Sequence, residues 1–109
     1  MKVMVVGGAG FIGRRLIPKL AADGHEVTVF DLNADPGPFD GYENVTVMRG
    51  DVTQVDAVVT SVCELAPDRL VNLAYHIGSD LPPHVATKLN VTGMDNCFEA
   101  ARLARVAHT

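Results

Sequence analysis

Seven residues near the start of the chain, Gly7-Gly8-Ala9-Gly10-Phe11-Ile12-Gly13, constrain its fold more than any other stretch. A short apolar run, 2–6 (Lys2, Val3, Met4, Val5, Val6), precedes them. Ile12, Leu16 and Leu20 follow at a spacing of four, which predicts a helix over 11–23 with those three on its buried face. An apolar run of this kind suits a parallel strand covered on both faces. The turn from such a strand into a helix uses its glycines in distinct ways. One permits the tight turn, a second lets backbone N–H groups approach a phosphate with no Cβ in the way, and the last lets the helix pack closely on the sheet. The start of the helix adds unpaired N–H groups and a partial positive charge. Gly7, Gly10, Phe11, Ile12 and Gly13 are therefore candidates for holding a pyrophosphate.

The rest of the chain alternates strand and helix. Pro18 removes one hydrogen bond from the first helix and is expected to kink it, and Gly24 ends it. A second strand is expected at 26–30. A loop follows from Leu32 to Asn44, since Pro36, Gly37, Pro38 and Gly41 argue against a full helix there. After a strand at 45–49, Thr53 and Asp56 resemble a capping box with Asp in place of Glu. Val55, Val58, Val59, Val62, Leu65 and Ala66 then trace one helical face, broken by Pro67 and Asp68. A fourth strand is expected at 69–74. A long helix is expected from His84 to Ala104, burying Val85, Leu89, Met94, Cys97, Phe98 and Ala101. Residues 105–109 read as the start of a fifth strand. This order predicts an α/β fold: one Rossmann-type domain over 1–109, a parallel sheet with helices on both faces, cut within the fifth strand.

Asp31, at the end of the second strand, lies 18 residues past Gly13. A carboxylate there accepts the ribose hydroxyls of an adenosine half and repels a 2′-phosphate, which puts NAD ahead of NADP. Leu32 and Asn33 follow it into the candidate site and add no positive charge. Arg14 and Arg15 bear on the same choice, because an arginine near the ribose can hold a 2′-phosphate.

The 109 residues carry a net charge of −4, with no run of five or six of one sign and no basic footprint, so nucleic acid is not expected as a partner. No apolar run approaches the ~20 residues of a membrane span. Cys63 and Cys97 lack metal or redox spacing and read as small apolar residues buried in helices. Reduced thiols fit a cytoplasmic protein. His76, Asp80 and His84 follow the fourth strand, where ligands of open α/β sheets bind, yet a solvated loop accounts for them more simply. They do not have the spacing of a metal site.

Four motifs in order give the sequence a resemblance to the extended short-chain dehydrogenases, the NAD-dependent epimerase/dehydratase family. Gly7, Gly10 and Gly13 are similar to the family's G-x-x-G-x-x-G, and Gly50-Asp51-Val52 to its G-D-[IV]. Asn72-Leu73-Ala74-Tyr75 resembles H-L-A-A. Asn90-Val91-Thr92-Gly93, continuing to Glu99-Ala100-Ala101-Arg102, resembles N-V-x-G-T…E-A-A-R. The resemblance implies that Asp51 and Val52 meet the adenine, that Leu73, Ala74 and Tyr75 flank the ribose side, and that Asn90 supports the nicotinamide side. It also implies a nucleotide-sugar substrate and a homodimer built partly on the long helix.

The sequence departs from that pattern at Val6 and Met94, where the family has threonine, and at Tyr75, where it has a small residue. The family's serine and Tyr-x-x-x-Lys pair do not occur. Four places after Tyr42 and Tyr75 stand Thr46 and Ser79. The 109 residues alone are therefore expected to be inactive, as the cofactor-binding portion of a longer epimerase, dehydratase or reductase. The alternative is a stand-alone, non-catalytic dinucleotide-binding or redox-sensing module.

Overall fold

Beyond the exposed Lys2, strand β1 (Lys2–Val6) is apolar because it runs through the middle of the molecule, with Val3, Met4, Val5 and Val6 all buried. In the computed structural model, which describes residues 1–109, β1 pairs with β2 (Glu26–Asp31) on one side and β4 (Arg69–Asn72) on the other. Strand β3 (Val45–Arg49) lies outside β2, giving a parallel sheet in the order β3-β2-β1-β4. The register sets Val5 beside Val29 and Val71, and Asp31 beside Arg49. All four strands thus end together at one edge.

Alternation along each strand divides the core in two. Val3, Val5, Val27 and Val29 face helix α1 (Gly13–Ala22), where they meet Ile17, and they also meet Phe39 of a single 3₁₀ turn (Gly37–Phe39). Met4, Val6, Phe30 and Leu70 face the other way, onto α2 (Val55–Leu65) and α4 (Gly93–Ala104), where Val58, Val62, Cys97 and Ala100 are buried. Helices therefore cover both faces, as the pattern predicts.

The remaining expectations need adjustment at their ends and faces. Helix α1 runs unbroken through Pro18, and Gly24 follows it in a left-handed conformation, φ +87°. Its buried face is Gly13, Ile17 and Ala21, one position round from the expected one; Leu16 and Leu20 are only partly covered and Ile12 is exposed. The capping box does not form. Gln54 precedes α2 with no side-chain cap, and the Thr53 hydroxyl donates instead to Asp51. Cys63 lies on the outward side of α2 and is exposed, whereas Cys97 is buried as expected. The long helix is three pieces in succession: α3 (Pro83–Thr87), a wider π turn (Lys88–Thr92) and α4. Val85, Met94 and Phe98, expected in the core, are exposed, and Gly93, Asn96 and Ala100 take the inner positions. Strand β4 ends at Asn72 because its side-chain carbonyl captures the Ala74 N–H at 3.0 Å. The expected fifth strand is reduced to one parallel bridge between Arg69 and His108.

Candidate cofactor site

The site is built at the edge where the strands end. Gly7 turns the chain out of β1 at φ +76°, and its N–H donates to the Phe30 carbonyl at 2.8 Å. A Cβ on Gly7 would sit 2.6 Å from the Ala74 nitrogen, so only glycine lets the ends of β1 and β4 come this close. A Cβ on Gly13 would be driven into the Gly8 carbonyl, where the first turn of α1 rests on the glycine loop. Gly10 is different. It is exposed, its φ is not left-handed, and the nearest atom to an added Cβ would be the Gly7 oxygen at 3.5 Å, an ordinary contact. Nothing inside the chain demands glycine there. The N–H groups of Phe11, Ile12 and Gly13, at the mouth of α1, have no hydrogen-bond partner within the chain. Their side chains do not screen them, since Phe11 is 75% and Ile12 61% exposed and turned outward.

Asp31 closes one side of the groove. Its Oδ2 accepts the Ala9 N–H at 3.0 Å and its Oδ1 the Asn33 N–H at 2.9 Å. A carboxylate has about four acceptor positions, so two remain for ligand hydroxyls. The two arginines that bear on cofactor choice are held by the loop. Arg14 Nε donates to the Ala9 carbonyl at 2.8 Å. Arg15 donates to the Phe11 carbonyl at 3.2 Å with its guanidinium 3.9 Å above the Phe11 ring. Neither lines the groove.

The opposite wall comes from the ends of β3 and β4. Gly50 sits on the Phe30 ring, where any Cβ would collide with it, and this brings Asp51 and Val52 to the groove. Asp51 Oδ1 accepts both the N–H and the hydroxyl of Thr53, at 2.9 and 2.7 Å, which fixes the carboxylate. Val52 is buried, and its carbonyl accepts the Asn96 amide at 2.9 Å. Gly93 allows α4 to approach, since a Cβ there would lie 2.9 Å from Val52 Cγ1. After β4, Leu73 continues the ladder with a 2.7 Å bond to the Val6 carbonyl, and Ala74 and Tyr75 follow along the wall.

These walls enclose a groove of about 300 Å³, at the small end of ligand pockets, and open along one side. Gly7, Gly10, Asp31, Leu32 and Asn33 line it together with Asp51, Val52, Leu73, Ala74 and Tyr75. Phe11, Ile12 and Gly13 stand beside it at the helix mouth. Asn90 does not line it. Its amide is committed to the loop after β4, accepting the His76 N–H at 2.7 Å and donating to the His76 carbonyl at 2.9 Å. The same loop is tied on its outer side by His76 Nε2 to Asp80 Oδ1 at 2.7 Å. That hydrogen bond is the main reason the exposed Asp80 carboxyl titrates below its usual range. His84 joins neither contact. Val6, Ala9, Phe30, Gly50 and Leu89 also line the groove and were not among the sequence candidates. Gly50 stood in a motif already noted; Phe30 and Leu89 carried only a core signal, and Asn96 had no signal at all.

Comparison with known proteins gives the family and the fold. The family model described as NAD dependent epimerase/dehydratase matches residues 3–108. A UDP-glucose 4-epimerase of Mycolicibacterium smegmatis is 36% identical across the whole chain, which spans 38% of that enzyme's length. Among solved structures, the Bordetella bronchiseptica enzyme WbmG, crystallised with NAD, superposes on 97% of the chain with a TM-score of 0.88 and 27% identity. The UDP-glucose 4-epimerase of Thermus thermophilus, also crystallised with NAD, matches 97% of the chain at a TM-score of 0.85 and 30% identity. The chain spans 35% of each of these two structures.

Proposed function

Because the chain belongs to the NAD-dependent epimerase/dehydratase family, we propose that it is the NAD-holding portion of an oxidoreductase acting on a nucleotide sugar, as an epimerase, dehydratase or reductase. The observation that carries this reading is Gly10: a glycine the fold does not need, beside three unpaired N–H groups at a helix mouth. A missing side chain there serves something outside the chain, and a pyrophosphate fits both the space and the donors.

Phe11, Ile12 and Gly13 then donate to the phosphates, and Gly10 lets the phosphates come within hydrogen-bonding distance. Asp31 takes the adenosine ribose, with Leu32 and Asn33 alongside, and its charge selects NAD over NADP. Asp51 and Val52 border the adenine, while Leu73, Ala74 and Tyr75 flank the chain of the dinucleotide toward the nicotinamide. Asn90 acts at one remove, by fixing the loop that begins at Tyr75. NAD, when bound, supplies the hydride-accepting group, and the residues named here only bind and orient it. The two tyrosines of this sequence lack a lysine four places on, so the base for a substrate hydroxyl is not among these residues.

Calorimetry of the full-length protein with NAD, NADP and ADP-ribose tests the reading, followed by a screen of nucleotide sugars for reduction of NAD. NAD is expected to bind more tightly than NADP. Asp31→Ala should weaken NAD by about tenfold, the worth of one or two hydrogen bonds to a charged group, and narrow the gap to NADP. Equal affinities before and after the change would remove Asp31 from the site. The 109 residues by themselves should turn over no nucleotide sugar.

A further inference from the structure

Ala9 is held from both sides by charged groups, and that arrangement connects the two halves of the proposed site. Its N–H goes to Asp31 Oδ2 at 3.0 Å, and its carbonyl to Arg14 Nε at 2.8 Å. Arg14 is anchored in turn, because its own N–H donates to the Gly10 carbonyl at 3.0 Å as α1 begins. The side chain of Arg14 is exposed and packs into no core, so its contact with the loop is not a by-product of burial. Ala9 itself is buried, and no other side chain bonds its main chain.

Resting on the NAD reading above, we propose that Arg14 is a positioning residue for the dinucleotide. By holding the Ala9 carbonyl while Asp31 holds the Ala9 N–H, it locks the phosphate-binding turn in register with the ribose-binding acid. A ligand that reaches across both, such as NAD, benefits from the lock. A ligand that touches only the acid and the adenine wall, such as adenosine, does not. Because the lock needs both ends, its benefit disappears when either end is removed.

The test is calorimetry of NAD and adenosine with the full-length protein carrying Arg14→Met, Arg14→Lys, Asp31→Ala, or Arg14→Met with Asp31→Ala. Arg14→Met, which keeps an unbranched stem as far as the Nε position but loses the donor, should weaken NAD about tenfold, the loss expected for one charge-assisted hydrogen bond. Adenosine affinity should stay within about twofold, a shift small against that loss. Arg14→Lys, which restores a donor, should recover most of the NAD affinity. Adding Arg14→Met to Asp31→Ala should cost no more than about twofold, since sites that share a partner do not add. The inference fails if Arg14→Met leaves NAD binding unchanged, if it weakens adenosine equally, if lysine does not rescue, or if it costs the same factor with and without Asp31. In each of those cases the unsubstituted protein still binds NAD and the proposed function stands. No NAD binding by the unsubstituted protein removes both.

Discussion

Gly10 and Gly13 stand three places apart in the same turn and are glycine for different reasons. The clash at Gly13 is internal, with the Gly8 carbonyl, whereas the room at Gly10 faces outward. Gly13→Ala should therefore destabilise the fold by about 1–3 kcal/mol, the usual cost of forcing an added methyl into a filled space. Gly10→Ala should leave the melting temperature unchanged and weaken NAD at least tenfold, or ~1.4 kcal/mol. Thermal melts and calorimetry on the two variants would separate the roles, and a stable Gly10→Ala variant with full NAD affinity would contradict the site. The two cysteines make a similar contrast. Burial pushes the Cys97 thiol from 9.0 up to about 11, while Cys63 is exposed. Iodoacetamide at pH 8 should label Cys63 and spare Cys97. A thiol whose folded pKa lies above its unfolded value stabilises the fold fully below pH 9 and loses that contribution as pH rises through 11. Replacing Cys97 with alanine should flatten the fall in stability between pH 9 and 11, measured by urea unfolding at each pH.

At the scale of elements, the first four strands and the glycine turn were legible because each had a local cause, whereas the expected fifth strand is a single bridge. The apolar run of β1, the left-handed Gly7 and the carboxylate ending β2 can be read without knowing what packs on them. Helix faces were less legible. The period of α1 was right, yet spacing alone could not distinguish Leu16 and Leu20 from Ile17 and Ala21, and the sheet chose the latter pair. In α4 the large residues Met94 and Phe98 looked like core, but α4 lies so close to α2 and Val52 that only Gly93, Asn96, Cys97 and Ala100 fit between them. Hydrophobicity predicts burial where there is space, and close helix contact inverts that rule in favour of small residues. Gly93→Val is expected to separate α4 from Val52 and lower stability by about 1–3 kcal/mol. It should also weaken NAD, because Val52 borders the proposed adenine position. Unfolding curves and calorimetry on that one variant would show both losses together. Loss of stability with unchanged affinity would mean that the Val52 wall does not touch the ligand.

Over the whole molecule, two cores back onto one sheet, and the site needs both. The α1 side positions the glycine turn, and the α2–α4 side positions Val52 and the loop after β4. No helix is long and apolar enough to cross a membrane. Met94 and Phe98, displaced from the α4 core, are exposed together with Val91 of the preceding π turn, three and seven places before them, and Phe98 is 54% exposed. Such a stripe is unfavourable in water, and burying the exposed half of each of these side chains is worth about 1 kcal/mol. A second copy of the protein, offering the same stripe, would cover it symmetrically, in keeping with the homodimer expected from the family resemblance alone. Sedimentation equilibrium of the full-length protein should then show a dimer. Phe98→Asp should weaken that dimer at least tenfold, or ~1.4 kcal/mol, by placing a charge where the two stripes meet. Because Phe98 touches neither the sheet core nor the groove, the monomer that results should still melt cooperatively and still bind NAD. A protein that sediments as a monomer before the change, or as an unaltered dimer after it, would rule out this face as the contact.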